Sequence, residues 1–354
     1  MSKLKGYIDS ITDNRGKNPS YYRENDVHPV LDNSLITGER YPKKAKVKRY
    51  IDSHIFNTFI RKYSNKNDVA ITLVGNGCGK CCLIPSDDWV IIQNAIGLKT
   101  KSNLDSVYLF YYLKLNRPRI MQLDGGSSQP NIRMDNFLAL DVDFPNLNIQ
   151  KNIARVLFDL DEKIELNNKI NTELEATAKL IYDYWFVQFD FPDASGKPYK
   201  SSGGKMVYNQ VLKREIPDGW SVKTLNELSN RIGDGIHGTP QYVDESEFSF
   251  INGNNLKNGF IYTDNDTKKV SAKEYDKYFI KLDKNTILMS INGTLGNLAV
   301  FTDEKVMLGK SSAYINCLEG HRAFCYQYLK QSHIQKNFWN IATGSTNKNP
   351  VPKT

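Results

Sequence analysis

The stretch Asn148 to Phe189 constrains the fold more than any other. Stepping by four and three from Ile153 meets Leu157, Leu160, Ile164, Asn167, Asn171, Leu174, Ala178, Ile181 and Trp185. That spacing predicts one long helix with a heptad seam, narrower than the stripe of a globular helix. Neither Pro nor Gly interrupts it, Pro145 precedes it and Pro192 follows it. About 40 residues at about 1.5 Å each would span roughly 60 Å. Such a seam expects a partner helix, and Asn167 and Asn171 in its middle are polar residues of the kind that fix register and partner number.

The segments on either side resemble each other. Pro19–Tyr21 aligns with Pro240–Tyr242, Asp32–Gly38 with Gly253–Gly259, and Asp68–Lys80 with Asn285–Asn297. Tyr112–Lys114 then matches Tyr328–Lys330, and Gly126–Asn131 matches Gly344–Asn349. An ordered internal repeat identifies architecture before any motif does. Each copy is mainly β-branched strand and Gly-rich turn, with one helical stretch, Leu104–Asn116 or His321–Phe338. The predicted class is α+β: two modules of mixed β-sheet with short helices, joined by one coiled-coil-type helix. Breakers crowd the run from Phe191 to Trp220, so the expected division is 1–147, first module; 148–190, helix; 191–215, linker; 216–354, second module.

A formal charge of +8 and a pI near 9.0 favour an acidic partner, and 20 Tyr and 16 Phe supply flat faces suited to nucleic acid. The residues from Met1 to Lys5 lack the apolar core of a signal peptide, and no run approaches a membrane span, so the expected location is the cytoplasm. Five cysteines argue against a disulfide framework. Cys78, Cys81 and Cys82 contain a C-x-x-C, but the aligned positions are Leu295, Leu298 and Ala299, which predicts buried strand positions and no metal.

Gly233-Asp-Gly-Ile-His-Gly238 fits G-x-G-x-x-G, yet helix-like Leu225–Leu228 precedes it and Thr239-Pro240 follows it, so no dinucleotide site is expected. The five histidines have no metal-ligand spacing, and no nucleophile elbow, P-loop or base-flipping methyltransferase motif occurs. No catalytic residue and no cofactor of this chain's own are predicted. A nuclease or methyltransferase with DNA-reading modules, and a coiled-coil adaptor, stay open as other classes.

The candidate DNA contacts are turn and loop residues that can bond phosphates and base edges. In the first copy they are Asn14, Arg15, Lys17, Lys44, Lys46, Lys48, Asn76, Lys80, Ser127, Ser128, Gln129 and Asn131. In the second they are His237, Thr239, Asn254, Asn255, Asn292, Thr294, Ser345, Thr346, Asn347 and Lys348.

Together, the D-V-A-I-T-L-V-G-N-G-C-G-K and G-S-S-Q-P-N-I segments, the long helix, and the K-P-Y-K-S-S-G-G-K-M-V-Y-N…I-P-D-G-W linker resemble the DNA-specificity subunit of a type I restriction-modification enzyme, over essentially the whole chain. The resemblance implies two target-recognition domains, each reading one half of a split site in double-stranded DNA. It implies a non-catalytic chain whose helix docks methyltransferase (modification) subunits that bind S-adenosylmethionine. ATP and magnesium for restriction would belong to a restriction/translocase subunit. One departure stands out: full-length members carry a second long helix after the second domain, where this sequence stops at Thr354. The expectation is another specificity chain supplying that helix, or a truncated or shuffled allele.

Overall fold

A computed structural model describes residues 2–16, 18–126 and 129–341. The chain divides into two compact units, Met1–Asn171 and Thr172–Thr354. Each unit is built on a four-stranded antiparallel sheet. In the first the order is Ile8–Thr12, Ala95–Thr100, Val69–Thr72, Cys81–Leu83; in the second it is Ser229–Asp234, Ser312–Cys317, Thr286–Ser290, Leu298–Val300. The other main sheet is mixed. His28–Leu31 runs antiparallel to Tyr50–Ile51 and parallel to Val90–Ile91, as Phe248–Ile251 does to Lys269–Val270 and Val306–Leu308. Even the irregularity repeats, with register shifts between Ile8 and Ser10 and between Ser229 and Arg231. The fold is α+β, as the sequence predicts.

The central strand Val69–Thr72 is buried throughout because successive side chains enter different cores. Val69 and Ile71 pack in a cluster with Leu109, Phe110 and Leu113 of the helix Ser106–Leu115, while Ala70 packs with Cys82, Ile84 and Trp89. Asp105 caps that helix by accepting from Tyr108 N at 2.9 Å. All five cysteines are buried free thiols. Cys82 sits opposite Ala70, and Ala299 sits opposite Leu288, on equivalent rungs.

Two details differ from the sequence alignment. It sets Thr72 against Met289, whereas the ladders set Thr72 (opposite Ala95) against Ser290 (opposite Ser312). The slip arises because the following turn is one residue shorter in the second unit: Gly79 N returns to Thr72 O, but Gly296 N returns to Ser290 O. The second helical stretch is also two helices, Arg322–Leu329 and Ser332–Ile341. Gln335 ends the first by donating to Leu329 O at 2.7 Å.

The long helix runs Leu147–Tyr182, with Asn146 Oδ1 accepting from Ile149 N at its start. At about 1.5 Å per residue it is roughly 54 Å long. It passes into a π turn, Asp183–Val187, earlier than Phe189, and Phe189 itself takes φ +66°. Asp190 N then bonds back to Tyr184 O at 2.9 Å, a Schellman-like stop. Within the second unit Tyr182 is buried, its ring 5.2 Å from Phe186 and 5.6 Å from Phe324.

Candidate nucleic-acid interface

At one end of the first unit, turns from four parts of the chain are bonded together. Leu73 N donates to Asn94 O, Asn33 Nδ2 donates to Val74 O at 3.0 Å, and Asn14 Nδ2 donates to Ile91 O at 3.0 Å. The second unit repeats this arrangement: Ile291 N donates to Ser311 O, Gly309 N to Ile251 O, and Ile236 N to Leu308 O. These ends carry most of the described candidate residues.

In the first unit Gly75, at φ +93°, donates its N–H to Pro130 O at 2.8 Å. Gln129 lies so close that a Cβ on Gly75 would sit 3.3 Å from its Nε2. The structure thereby gathers Asn33, exposed Asn76, Gln129 and exposed Asn131 on one surface, with half-exposed Lys80 closing the turn. Asn14 is spent on the framework, since its amide also donates to Lys62 O and accepts from Lys62 N. Arg15 grips Asp13 through two hydrogen bonds of 2.9 and 2.8 Å, which hold the Asp13 carboxyl below the usual carboxylate range. Lys44, Lys46 and Lys48 are exposed.

In the second unit Asn254, Asn292, Thr294 and Thr239 are exposed. Asn255 instead closes a capping box, accepting from Asn252 N at 3.0 Å and donating to Tyr262 O at 2.9 Å. His237 lies 2.8 Å from Asp234, both exposed. Here the glycine motif finds its reason. The helix-like turn Leu225–Leu228 leads into a strand that sequence reading did not expect, Ser229–Asp234, in which Gly233 lies opposite Tyr314, whose hydroxyl would be 2.6 Å from an added Cβ. Gly235 lies against the backbone of Leu308 and Gly309. Both glycines serve close packing, and no helix follows. Lys17, Ser127, Ser128, Ser345, Thr346, Asn347 and Lys348 lie outside the described residues.

Sequence reading missed one network. Arg49 bonds Asp32 at 3.2 Å and Gln93 Oε1 at 3.1 Å, lies 4.8 Å over the Tyr22 ring, and Gln93 Nε2 reaches Asn18 Oδ1 at 3.0 Å. Its members are distant in sequence. The one local signal is a positive φ of 59° at Gln93, which a sequence does not display.

On the long helix Ile153, Leu160, Ile164, Leu174, Ile181 and Trp185 are exposed, as are Asn167 and Asn171, while Leu157 and Ala178 are half-buried. Val156 and Ile170 are exposed with them. Buried Ala154 and half-buried Phe158 and Asp161 lie on another side.

Residues 12–176 match the family model of the type I restriction modification DNA specificity domain. The type I restriction enzyme MjaIX specificity subunit of Methanocaldococcus jannaschii is 28% identical over 179 residues, 49% of this chain and 39% of that protein. A putative type I specificity subunit of Mycoplasma genitalium is 26% identical over 253 residues, 70% of this chain and 60% of that protein. The chain thus spans less than two thirds of the length of these relatives. The crystal structure of a type I restriction-modification system S subunit from M. genitalium has the same fold, with a TM-score of 0.57 at 18% identity over 96% of this chain and 78% of that one. The segment 12–176 is therefore a DNA specificity domain of the type I restriction-modification class. Beyond that segment the chain is similar to type I specificity subunits.

The described residues hold no cluster of three or more His, Cys, Asp or Glu that could bind a metal, and no helix among them is long and apolar enough to cross a membrane.

Proposed function

We propose that this chain is the sequence-reading, non-catalytic subunit of a type I restriction-modification complex, and that each unit reads one half of a split double-stranded DNA target. The observation that carries this reading is the repetition of one framework with different side chains at the same turns: Val74 against Asn292, Asp32 against Asn252, Gln93 against Lys310. Two like frameworks with unlike turns cannot read a palindrome, which needs identical readers. The target is two different short sequences with an unspecified gap. The domain division remains 1–147, 148–190, 191–215 and 216–354. Methyl transfer and cleavage belong to partner subunits, with S-adenosylmethionine, ATP and magnesium bound there.

The exposed stripe of the long helix is the docking face for methyltransferase subunits, because so long an apolar run in water is a liability unless covered. A helix of another specificity chain is the other occupant that the stripe fits, and the stoichiometry of the purified complex distinguishes them. The cytoplasm is the compartment that holds such a target. Methylation mapping of a host with and without the gene tests the reading. A bipartite asymmetric motif that appears with the gene is expected. A contiguous or symmetric motif, or methyl transfer by the purified chain alone, overturns it.

A further inference from the structure

The basic run that includes Lys44, Lys46 and Lys48 follows an arginine that no sequence signal singles out. Arg40 is 5% exposed, the most deeply buried charge among the described residues of its unit. Its backbone carbonyl accepts from Leu83 N at 2.7 Å, which ties it to the edge of the first sheet. Its guanidinium turns instead to the long helix. One nitrogen bonds Glu165 at 2.7 Å; the other lies 3.8 Å from Glu162 and donates to Phe158 O at 3.4 Å. The planar group lies 4.0 Å over the Phe158 ring and 5.3 Å from the Tyr41 ring. Nearby, Tyr111 from the helix Ser106–Leu115 donates to Asp161 at 2.8 Å, and burial followed by that bond raises its hydroxyl pKa.

A helix held at one point can swing; held at two, it has a fixed direction. The first point is Gln150, 1% exposed, whose amide accepts from Asp105 N and donates to Asn103 O and Pro145 O. The second is the Arg40–Tyr111 pair acting on Asp161, Glu162 and Glu165. At about 1.5 Å per residue the two points stand roughly 17–22 Å apart along the axis. An arginine suits the second point, since its rigid fork and flat face fix geometry where a lysine point charge does not.

We propose that Arg40 is a positioning residue that locks the direction of the long helix on the first recognition unit, and so sets which gap between the half-sites is accepted. This rests on the split-target reading above. It assigns to Arg40 no contact with DNA.

The test uses the full chain co-expressed with its methyltransferase subunits and a library of sites whose gap varies by one base pair either way. Glu162→Gln with Glu165→Gln is the main variant, because both carboxylates are more than half exposed and glutamine keeps helix propensity. Arg40→Gln and Arg40→Lys accompany it. Both half-sequences are expected to stay unchanged, while preference for the native gap falls about tenfold, the worth of one charge-assisted hydrogen bond. Arg40→Lys should recover little of it. Unchanged gap preference in the Glu162/Glu165 variant overturns the proposal, as does loss of the first half-sequence with the gap intact, which would place Arg40 in the reading surface. A contiguous wild-type target would instead sink the split-target reading before any variant is compared.

Discussion

The two units solve the same packing problem with opposite residues. On one rung of the first sheet Thr12 faces Gly97, and the added Cβ that Gly97 lacks would lie 2.5 Å from Ser64 Oγ and 2.8 Å from Ile91 Cδ1. On the equivalent rung of the second unit Gly233 faces Tyr314, and there the glycine yields to the ring. Large and small have changed strands while the ladder stayed. The grips on the helix differ likewise. The first unit uses directional bonds from Arg40, Tyr111 and Gln150. The second uses the Tyr182, Phe186 and Phe324 rings with a more exposed Lys330–Glu175 pair at 3.0 Å. Backbone pairing carries the shared framework, so side chains are free to diverge wherever neighbouring residues fill the space that a glycine leaves.

The largest expected effect would erase the contrast between the units. Leu160→Asp with Ile164→Asp puts two charges on the shared helix, and should abolish assembly with methyltransferase subunits on size-exclusion chromatography while both sheets remain folded by circular dichroism. Normal assembly would remove the stripe from the interface. Next, Tyr314→Ala opens a cavity in the second unit only and should cost about 3–5 kcal/mol there; amide exchange in the first unit should stay unchanged, and a uniform loss would mean the units do not fold separately. Gly97→Val overfills the matching rung of the first unit and should cost about 1–3 kcal/mol by urea denaturation. A neutral result would show that Ser64 and Ile91 move aside easily. The smallest is reversal of Lys44, Lys46 and Lys48 to Glu. Affinity should fall about tenfold for every DNA sequence, and the salt slope by about 1 per lysine, on titration between roughly 50 and 200 mM salt. An effect confined to one half-sequence would turn these lysines from phosphate contacts into readers.

Much of the framework was legible without coordinates. The repeat located both sheets, because a strand buried on both faces is a run rich in apolar and β-branched residues ending in a turn, and such runs recur at Val69–Val74 and Thr286–Ile291. Its register was off by one at Thr72, since a turn that loses one residue leaves the flanking pattern intact. The site was less legible. Asn14 and Asn255 have the side chains of DNA readers but bond their own backbone, and amide chemistry does not reveal which partner it will find. Gly233 and Gly235 imitate a phosphate loop for reasons of packing.

The sequence by itself determined the α+β class, the two copies, the long helix between them and the apolar stripe along it, because periodicity and breakers are local and survive without neighbours. Tertiary structure alone decided that Arg40 serves the helix while the lysines after it stay exposed, that Arg49, Gln93 and Asn18 form one network, and that Leu157 turns partly inward where Val156 is exposed. The physical reason is distance along the chain. Arg40 meets Glu165 across 125 residues and Gln93 meets Asn18 across 75, and a bond of that kind leaves no periodic trace at either end.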